Sequence, residues 1–412
     1  MRTSLMLMIV LTGVGCNNPP PQNDPGHAAD VVQPTVLTTD SLEASDPFLI
    51  TDHEGRPVIC WTEKLHDQDA YVLKYAVSGD GGRTFGQPVT VTPSKGTKPH
   101  PESMNKVAFK ADGTVVAVYA VSLADSIHKY AGEIRYVMSE DQGKSWTEPR
   151  TVHNDATPGA GHSFFDLASL PTGEVGCVWL DKSNKGGGRP VLFASTKEDF
   201  RNEVVIDSLA CECCRTELYV DPLGEVHVAY RDIINDSIRD MAMVRSVDSA
   251  RSFTNPIRVS PDNWFVHGCP HTGPSMTWSQ GNLHFFWFTA GGKPAVYRTV
   301  SEDQGAHFEE RKQVNTDARH PQVSSLEDGS IGAVWEQSFG EGDESYNRIV
   351  LEVINPDGIG TQYNISQKGM QASFPVILGL DGSFLVAWTQ QESGSKRVYY
   401  KLVKPDSTVP MP

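Results

Sequence analysis

A short pattern recurs seven times along this chain and limits the folds that it can adopt. Each copy has a short apolar run, a tight turn with glycine, and a second apolar run that ends in an aromatic residue. The seven glycine–aromatic pairs are Gly55/Trp61, Gly113/Tyr119, Gly173/Trp179, Gly224/Tyr230, Gly281/Trp287, Gly329/Trp335 and Gly382/Trp388. Repetition at this spacing is typical of chains in which each copy is one supersecondary unit.

The repeated runs predict β-hairpins rather than helices. Residues 115–119 and 331–335 are mainly β-branched or aromatic, and both runs are too short for helices. Turns that end in glycine, such as Asp112–Gly113, supply the positive φ that a two-strand hairpin needs. A third strand follows each hairpin, and a fourth strand follows in all units but the last. The predicted fold is therefore all-β, a β-propeller of seven four-stranded blades.

The two ends of the repeat region predict how the ring closes. The seventh unit stops after its third strand, at residues 397–403, whereas residues 33–37 precede the first unit as an unpaired strand. Pairing these two strands would close the ring and remove exposed sheet edges. The prediction is a single propeller domain at residues 31–404, followed by a C-terminal tail at 405–412.

The N-terminus predicts export. A positive start at residues 1–3 precedes a mainly apolar run of 11 residues, 4–14, and then Gly15 and Cys16. Such a run is too short for a mature transmembrane helix but fits a signal peptide. The Gly15–Cys16 step resembles the lipobox of bacterial lipoproteins, which predicts a signal peptide at 1–15, lipidation of Cys16 and a flexible tether at 16–30. The alternative is an ordinary secretory signal with an incidental cysteine.

The net charge of the chain and its predicted location limit the kinds of molecule that it can bind. The chain has 51 acidic and 35 basic residues, a net charge of −16, and no basic cluster suited to nucleic acid. Asn17 after Cys16 resembles the sorting pattern of outer-membrane lipoproteins, so we expect a lipid-anchored protein at the outer membrane, the cell surface or the periplasm. The lipid anchor is the only membrane contact predicted.

Four units carry the motif Ser-x-Asp-x-Gly-x-x-aromatic directly after the third strand. The copies are residues 78–85, 139–146, 301–308 and, with Ala250 in place of glycine, 246–253. The carboxylate can accept hydrogen bonds from its own turn, and the aromatic side chain can anchor the loop to the sheet. The motif therefore predicts a structural role.

These motifs resemble the Asp-boxes, or bacterial neuraminidase repeats, of the sialidase superfamily. Sialidases hold a substrate carboxylate with three arginines and use a tyrosine nucleophile, paired with a glutamate, and an aspartate acid/base. This chain has no Arg-Ile-Pro motif; its first inner strand begins with Asp46, Pro47 and Phe48, and it has seven units rather than six. It is identified as a divergent member of the superfamily.

The resemblance implies an exported propeller that acts on an anionic glycan or acidic sugar, as a glycoside hydrolase related to exo-alpha-sialidases. One alternative is a non-catalytic propeller that binds glycan or protein. A further alternative is a metal-dependent enzyme or a polysaccharide lyase, because fold alone does not decide function.

The candidate site residues concentrate on loops at one face of the predicted ring. Glycine hairpins and Asp-boxes share one face, so the loops that enter the first strands surround the channel mouth on the other. The candidate catalytic residues are Arg215, Glu217, Asp232, His271 and His320. The candidate substrate-binding residues are Arg231, Arg319, His162, Glu102 and Asp46. Guanidinium groups match carboxylate geometry, and neighbouring carboxyl or imidazole groups can serve as acid or base.

Two of these loops, from neighbouring units, are rich in cysteine and histidine. They contain Cys211, Cys213 and Cys214, and His267, Cys269 and His271. The preferred interpretation is disulfide stapling, either from Cys213 or Cys214 to Cys269 or between Cys213 and Cys214. The alternatives are a zinc or copper site formed by Cys213, Cys214, His267 and Cys269, and a reactive thiol. No other cofactor is predicted.

Two further cysteines lie inside second strands of the repeat. Cys60 and Cys177 each precede a strand aromatic by one or two positions. A free cysteine in such a place behaves as a small apolar side chain. Both are predicted to be buried and inert.

Overall fold

The computed structural model of the protein describes residues 29–30, 33–38, 42–66, 68–182 and 188–405. Within these residues it contains seven separate sheets and no α-helix. The predicted signal peptide, Cys16, most of the tether and the tail beyond residue 405 lie outside the described residues. None of the described residues forms a helix long and apolar enough to span a membrane.

Each sheet is one propeller blade. Two short strands, β1 (Ala29–Asp30) and β2 (Thr35–Val36), precede the blades. Blade 1 is β3–β6: Ala44–Thr51, Pro57–Lys64, Tyr71–Val77 and Val89–Thr90. Blade 2 is β7–β10: Lys106–Phe109, Val115–Ser122, Gly132–Ser139 and Arg150–Thr151. Blade 3 is β11–β14: Ser163–Ser169, Val175–Leu180, Arg189–Ser195 and Val204–Ala210.

The remaining blades follow in chain order. Blade 4 is β15–β18: Glu217–Val220, Val226–Arg231, Met241–Ser246 and Ile257–Arg258. Blade 5 is β19–β22: Ser275–Ser279, Asn282–Thr289, Ala295–Ser301 and Lys312–Asn315. Blade 6 is β23–β26: Ala318–Ser325, Ile331–Phe339, Tyr346–Ile354 and Gly360–Asn364. Blade 7 is β27–β29: Gln371–Leu380, Ser383–Glu392 and Ser395–Val403. Three short 3-10 helices lie at Thr92–Ser94, Thr196–Glu198 and Gly342–Glu344.

The ring closes as the sequence predicts. Strand β2 pairs antiparallel with β29, Thr35 opposite Tyr400, and supplies the fourth strand of blade 7. The innermost strands contact one another in chain order, and β27 contacts β3. Strand β1 was not predicted: Ala29 and Asp30 pair parallel with β26 and extend blade 6 to five strands. The last two residues of the expected tether therefore belong to a sheet.

The aromatic residue of each repeat lies in the core. All seven occupy equivalent positions of the second strand, and none is more than 1% exposed. Burial of a large side chain contributes about 1.5–3 kcal/mol, and the polar tips find partners, as in the 2.9 Å hydrogen bond from Trp61 Nε1 to Glu63 Oε2. These aromatic residues are therefore packing residues of the blades.

The four Asp-boxes share one hydrogen-bond pattern. In the box of blade 2, Ser139 Oγ donates to Asp141 Oδ1 over 2.8 Å and accepts from Gly143 N over 2.8 Å, while Asp141 accepts from Ser145. Gly143 has φ 85°, and a Cβ there would lie 2.4 Å from Val89 Cγ1. The box in blade 4 keeps the pattern with Ala250 at φ 63°. The predicted structural role of the motif is confirmed.

Candidate functional site

The innermost strand of four blades begins with a kink that turns one side chain toward the channel mouth. The kinked residues have φ angles of 50–58°, which are uncommon for residues other than glycine, and the strand ladder shifts register at each kink. They are Asp46, Phe164, His320 and Phe374. In three of them the next residue is proline, which has no N–H to pair. The repeated bulge thus mounts side chains rigidly around the mouth.

Three of these four kinked residues, all except Phe164, line a small cavity here called the mouth cavity. Its lining residues are Asp46, Pro47, Pro101, Met104, Arg215, His320, Gln322, Phe374, Pro375 and Val376. Its volume is about 10 Å³, which has room for about one water molecule. The cavity is therefore too small for a sugar ring and admits only a small group.

Arg215 forms the floor of the mouth cavity. The side chain is 6% exposed, and its Nη1 lies 3.3 Å from Oε1 of Glu102, which is 2% exposed. Nη2 donates to the carbonyl oxygen of Pro274 at 2.9 Å. With its amide oxygen turned toward Arg215, Gln322 accepts from both terminal nitrogens at 3.2 and 3.3 Å. Such extra hydrogen bonds offset the desolvation cost of a buried ion pair.

Asp46 presents an unsatisfied carboxylate oxygen. Its backbone N–H donates to Thr389 Oγ1 over 3.0 Å, and its buried Oδ2 has no hydrogen-bond partner among the described residues. Burial raises the pKa of Asp46 to about 6, against the opposing charge of Lys396. A carboxyl group with this pKa changes protonation near neutral pH, as a general acid or base must.

His320 lies between a backbone carbonyl and a carboxylate. Its Nε2 lies 3.1 Å from the carbonyl oxygen of His271, which can only accept a hydrogen bond, and its Nδ1 lies 3.0 Å from Oε1 of Glu336. Burial lowers the pKa of His320, but the hydrogen bond and charge of Glu336 and the charge of Glu102 outweigh burial and raise it above the ordinary value. The ion-pair distance to Glu336 and the raised pKa both favour a positive charge on His320 at the mouth.

Two further histidines stand at the rim. His100 Nδ1 accepts a hydrogen bond from the backbone N–H of Glu102 at 3.2 Å, and burial lowers the pKa of His100. His271 is exposed, with Nδ1 donating to the carbonyl oxygen of Cys269 at 2.9 Å. In its neutral form His271 therefore has a free lone pair on Nε2.

A larger cavity of about 360 Å³ lies below Arg215, between the innermost strands. It contains Lys106, whose fully buried Nζ lies 3.0 Å from Asp166 Oδ1 and donates to the carbonyl oxygen of Phe165 at 2.7 Å. Glu217 also lines it, accepting from the backbone N–H of Met276 at 3.0 Å. Burial raises the pKa of Glu217 to about 8, against that hydrogen bond.

The structure brings only some of the predicted site residues together. Arg215, His320 and Asp46 line the mouth cavity; Glu102 contacts Arg215, and His271 contacts His320 through its backbone. Glu217 lies deeper, in the channel cavity. The predicted residues that do not line the mouth cavity or contact these groups are Arg231, Arg319, His162 and Asp232.

Two of the predicted arginines do not join Arg215 in a clamp. Arg231 is 1% exposed and donates to the carbonyl oxygens of Arg239, Thr272 and Phe288 at 2.9–3.2 Å. Its guanidinium is thus committed to backbone groups. Arg319 is exposed, and its guanidinium lies 5.0 Å from the ring centre of Phe288. The expectation that Arg231 and Arg319 bind one substrate carboxylate together with Arg215 is therefore wrong.

His162 and Asp232 belong to other local clusters. His162 is buried, stacks on His153 with ring centres 3.5 Å apart, and hydrogen-bonds Asp181 through Nδ1. Asp232 lies near Asp207: burial, followed by the charge of Asp207, raises the pKa of Asp232 to about 6. The sequence places both on the correct face, but their strands direct them away from the axis.

The cysteine-rich loops meet, as predicted, beside blades 4 and 5. Cys211 Sγ lies 3.8 Å from Cys213 Sγ and 3.6 Å from Cys214 Sγ. The ligand atoms of Cys213, Cys269 and His271 also lie within 4.8 Å of one another. These five residues are here called the cysteine cluster. Hydrogen bonds from the other two thiols, with the charges of Arg231 and Arg239, hold the pKa of Cys211 below its ordinary value.

The expected disulfide bridges are absent. All six described cysteines are free, and the sulfur separations of 3.6 and 3.8 Å far exceed a disulfide bond of about 2.05 Å. The predicted ligand set is also corrected: His267 packs edge-on against Phe265 instead of joining the described groups, whereas Cys211 and His271 do join them.

The other two described cysteines behave as predicted. Cys60 and Cys177 are 0% exposed. Burial raises the pKa of Cys60 to about 12 and raises that of Cys177 still further. A thiol with so high a pKa stays protonated at neutral pH, so the prediction of buried, inert thiols is confirmed.

Three residues in or beside the two cavities were not predicted from the sequence. Gln322 contacts Arg215, Glu336 orients His320, and Lys106 crosses the channel to Asp166. One local signal was available: residue-proline pairs such as His320–Pro321 precede several inner strands. Those pairs mark the kinks that direct side chains to the mouth.

Comparison with known proteins identifies relatives of the whole fold. Residues 60–265 match the family described as the BNR repeat-like domain, and no curated protein matches the chain. A protein of unknown function from Dyadobacter fermentans is 14% identical, over 90% of this chain and 98% of that one, with a TM-score of 0.55. The polysaccharide lyase Uly1 is 13% identical, over 85% and 88%, with a TM-score of 0.53. The α-L-arabinofuranosidase of Fusarium graminearum, solved with arabinobiose, is 14% identical, over 75% and 94%, with a TM-score of 0.50.

At these identities the solved structures show similarity of fold alone. The family match is more specific, because it extends over half of the sequence. It agrees with the four Asp-boxes found from the sequence and with their shared hydrogen-bond pattern. The chain therefore belongs to the BNR repeat-like domain family, as a sialidase-like propeller.

Proposed function

We propose that the protein is a glycoside hydrolase that binds a glycan over the channel mouth and uses Asp46 to activate a water molecule. The observation that carries this proposal is the buried, unpartnered Oδ2 of Asp46 in a cavity with room for one water. A carboxylate with a pKa of about 6 is ionised at neutral pH and accepts a proton efficiently there.

The neighbouring charges suit this role. Arg215 and the imidazolium of His320 line the same cavity as Asp46, and Glu102 and Glu336 balance them. The positive groups favour an ionised carboxylate, and they stabilise negative charge on the glycosidic oxygen as its bond to the anomeric carbon breaks. Asp46 takes a proton from the attacking water, and the departing oxygen takes one from solvent. The site therefore contains a base and electrostatic stabilisation within one small space.

An acidic substituent of the glycan is expected to bind at the rim. The inner ion pairs neutralise one another, whereas Arg319 and Lys396 are exposed, and Lys396 is close enough to influence Asp46. Exposed cations recognise a carboxylate or sulfate without a large desolvation cost. This arrangement differs from the three-arginine clamp that the sialidase resemblance implies.

The residues at the channel mouth are better suited to hydrolysis than to the lyase reaction, which the sequence left as an alternative. A lyase needs a neutral base that removes a proton next to a uronate carboxylate, and His271 and His320 were the candidates. His271 has a free lone pair on Nε2 but does not line the mouth cavity. Nε2 of His320 donates to a backbone carbonyl, and the nearby Glu336 raises the pKa of His320, which favours the charged form that cannot accept a proton. The fold is compatible with glycan chemistry, since propellers of this fold include a polysaccharide lyase and an α-L-arabinofuranosidase.

The test is a product assay with matched variants. The full-length protein is incubated with a fluorogenic sialoside and with sialylated, uronate-containing and sulfated glycans, and new reducing ends and unsaturated uronates are measured. Asp46→Asn should lower kcat/KM about 10²–10⁴-fold. Asp232→Asn is the control, because the pKa of Asp232 is also raised to about 6 but the residue does not line the mouth cavity.

Three results would contradict the proposal. One is accumulation of unsaturated uronates, which indicates elimination. Another is an Asp46→Asn variant as active as Asp232→Asn. The third is measurable glycan affinity with no product from any substrate, which would make the protein a binding module.

The cellular location is a separate part of the proposal: the protein is exported and anchored by a lipid on Cys16. The support is the Gly15–Cys16 lipobox-like step after an apolar run. In a Gram-negative host, the protein should fractionate with membranes, and Cys16→Ala should release it in soluble form. A wild-type protein found only in the soluble fraction would contradict the anchor.

A further inference from the structure

We infer that the cysteine cluster is a metal centre, in which the thiolates of Cys211, Cys213 and Cys214 bind one Zn²⁺ or Cu⁺ ion and the 269–271 segment supplies a further ligand. None of the five cluster residues lines the mouth cavity, which only the backbone oxygen of His271 reaches, through His320. The ion would join the loop before blade 4 to the loop before blade 5.

The first support is the spacing of the sulfur atoms. Cys211 Sγ lies 3.8 and 3.6 Å from the sulfurs of Cys213 and Cys214. Thiolates at about 2.3 Å from a tetrahedral zinc ion lie about 3.8 Å apart. The sulfurs are therefore too far apart for disulfides and are spaced as ligands of one ion would be.

The second support is the number and type of donors that converge. Cys213 belongs to both close groups, one with Cys211 and Cys214 and the other with Cys269 and His271. Four sulfurs and one imidazole thus meet from two chain segments more than 50 residues apart. Thiolate and imidazole donors select zinc and copper(I) over oxygen-seeking cations such as calcium or magnesium.

The third support is the charge around the cluster. Three thiolates and a divalent ion have a net charge of −1, and with a monovalent ion −2. Arg231 and Arg239 act electrostatically on the Cys211 sulfur, and Arg239 also pairs with Glu212 at 3.2 Å. Two neighbouring guanidinium groups can stabilise an anionic metal–thiolate centre that is largely removed from water.

The fourth support is the rigid seating of both segments. The backbone N–H of Cys211 donates to the carbonyl oxygen of Arg231 at 2.8 Å. Gly273, beyond the second segment, lies so close to Arg215 that a Cβ would approach its carbonyl oxygen to 2.6 Å. The two segments are therefore held together before any ion binds, as a preformed site requires.

A disulfide framework is the competing explanation for exported cysteines. It would pair the cysteines in twos and leave no metal. The metal hypothesis instead requires free thiols that an ion protects from alkylation. The two explanations make opposite predictions for the same purified protein, so one experiment separates them.

The experiment measures metal content and thiol state of the full-length protein, purified anaerobically after growth with zinc and copper supplied together. Plasma mass spectrometry should find about one zinc or copper ion per chain, and a mercurial that binds thiols should release it. Non-reducing peptide mapping should find no disulfide among the four cluster cysteines. Cobalt substitution should produce sulfur-to-metal charge-transfer absorption.

The variants distinguish the loss of a metal ligand from the loss of the folded structure. Cys213→Ser should lose the metal because Cys213 belongs to both groups. Cys269→Ser with His271→Gln changes two exposed side chains, and metal affinity should fall on the order of tenfold or more while circular dichroism stays unchanged. Cys60→Ser is the control. Because Cys60 lies outside the cluster, this variant should keep its full metal content.

Two results would overturn the metal centre. One is wild-type protein with a negligible metal content under these conditions, whether or not a disulfide is found. The other is full metal content in Cys213→Ser. Glycan turnover is not used as a readout, so failure of the proposed hydrolase function would leave this test unaffected.

Discussion

His320 Nε2 donates a hydrogen bond to the backbone oxygen of His271 over 3.1 Å, and this contact connects the mouth cavity to the loop that carries the cysteine cluster. The opposite nitrogen of His320 lies 3.0 Å from Glu336. The positive charge at the mouth therefore depends on one carboxylate and one loop backbone. This dependence makes the charge state of His320 testable without knowledge of the substrate.

The first prediction is that Glu336→Gln lowers the pKa of His320. In the wild type, Glu336 raises that pKa above its ordinary value against the effect of burial. The stabilisation from a raised histidine pKa is fully present below the unfolded pKa and is lost as pH rises through the folded pKa. The free energy of unfolding of wild type should therefore exceed that of Glu336→Gln most at pH 5, and the difference should shrink at higher pH.

The measurement is chemical denaturation from pH 5 to pH 9, with NMR titration of the His320 ring. Glu309→Gln is the control, because Glu309 forms only an exposed pair with Lys312. A difference between wild type and Glu336→Gln that does not depend on pH would contradict the imidazolium assignment.

The second prediction concerns Glu217 in the channel cavity. Burial raises its pKa to about 8, so the folded state binds more protons than the unfolded state between about pH 4.5 and pH 8. Its contribution to stability therefore falls as pH rises through this window, by on the order of 5 kcal/mol. Glu217→Gln should remove that fall and be more stable than wild type at pH 8.

Comparison of urea unfolding at pH 5 and pH 8 checks this expectation. Glu225→Gln is a suitable control, since its carboxylate is partly exposed and pairs with Arg245 at 3.3 Å. If wild type and Glu217→Gln lose stability equally between the two pH values, the carboxyl group is not buried as the structure has it.

The fold was predictable because its signals are local. A glycine turn and an aromatic residue six positions later define each hairpin, and all seven aromatics are buried. Closure was predictable because the seventh unit lacks one strand and residues 33–37 supply it. Each of these inferences depends on short-range backbone and packing preferences, which a single sequence contains.

The site was only partly predictable because its geometry depends on tertiary contacts. The sequence placed Arg215, Asp46 and His320 on one face, but it could not show that Arg231 turns inward to three carbonyl groups. The prediction that the cysteine-rich loops meet was correct. The prediction of His267 rather than His271 as a possible metal ligand, and the prediction of disulfides, were not. Which of several nearby side chains meet is decided by bulges and loop packing, not by the repeat.

The third prediction is that Lys106→Met strongly destabilises the protein. Lys106 is fully buried, pairs with Asp166 at 3.0 Å and donates to a backbone carbonyl. Removing one member of a buried pair leaves the other charge uncompensated, which costs about 3–5 kcal/mol. Lys312→Met removes an exposed pair and should cost less than about 1 kcal/mol.

Urea unfolding of both variants at pH 7 provides the test. The double variant Lys106→Met with Asp166→Leu should recover most of the lost stability, because no buried charge is left unpaired. A single variant as stable as wild type would show that the pair is hydrated in the channel.

The fourth prediction is that the pH profile of the proposed hydrolase reports Asp46. Because Asp46 must be ionised to accept a proton from water, kcat/KM should rise with pH and level off above its pKa of about 6. Arg215→Lys should keep this limb while lowering kcat/KM, since it keeps the charge but loses the fork-like contacts to Glu102 and Pro274. In Asp46→Asn the residual activity should lose the limb near pH 6, because an amide does not titrate. A limb that persists unchanged in Asp46→Asn would assign the ionisation to another group and would exclude Asp46 as the base.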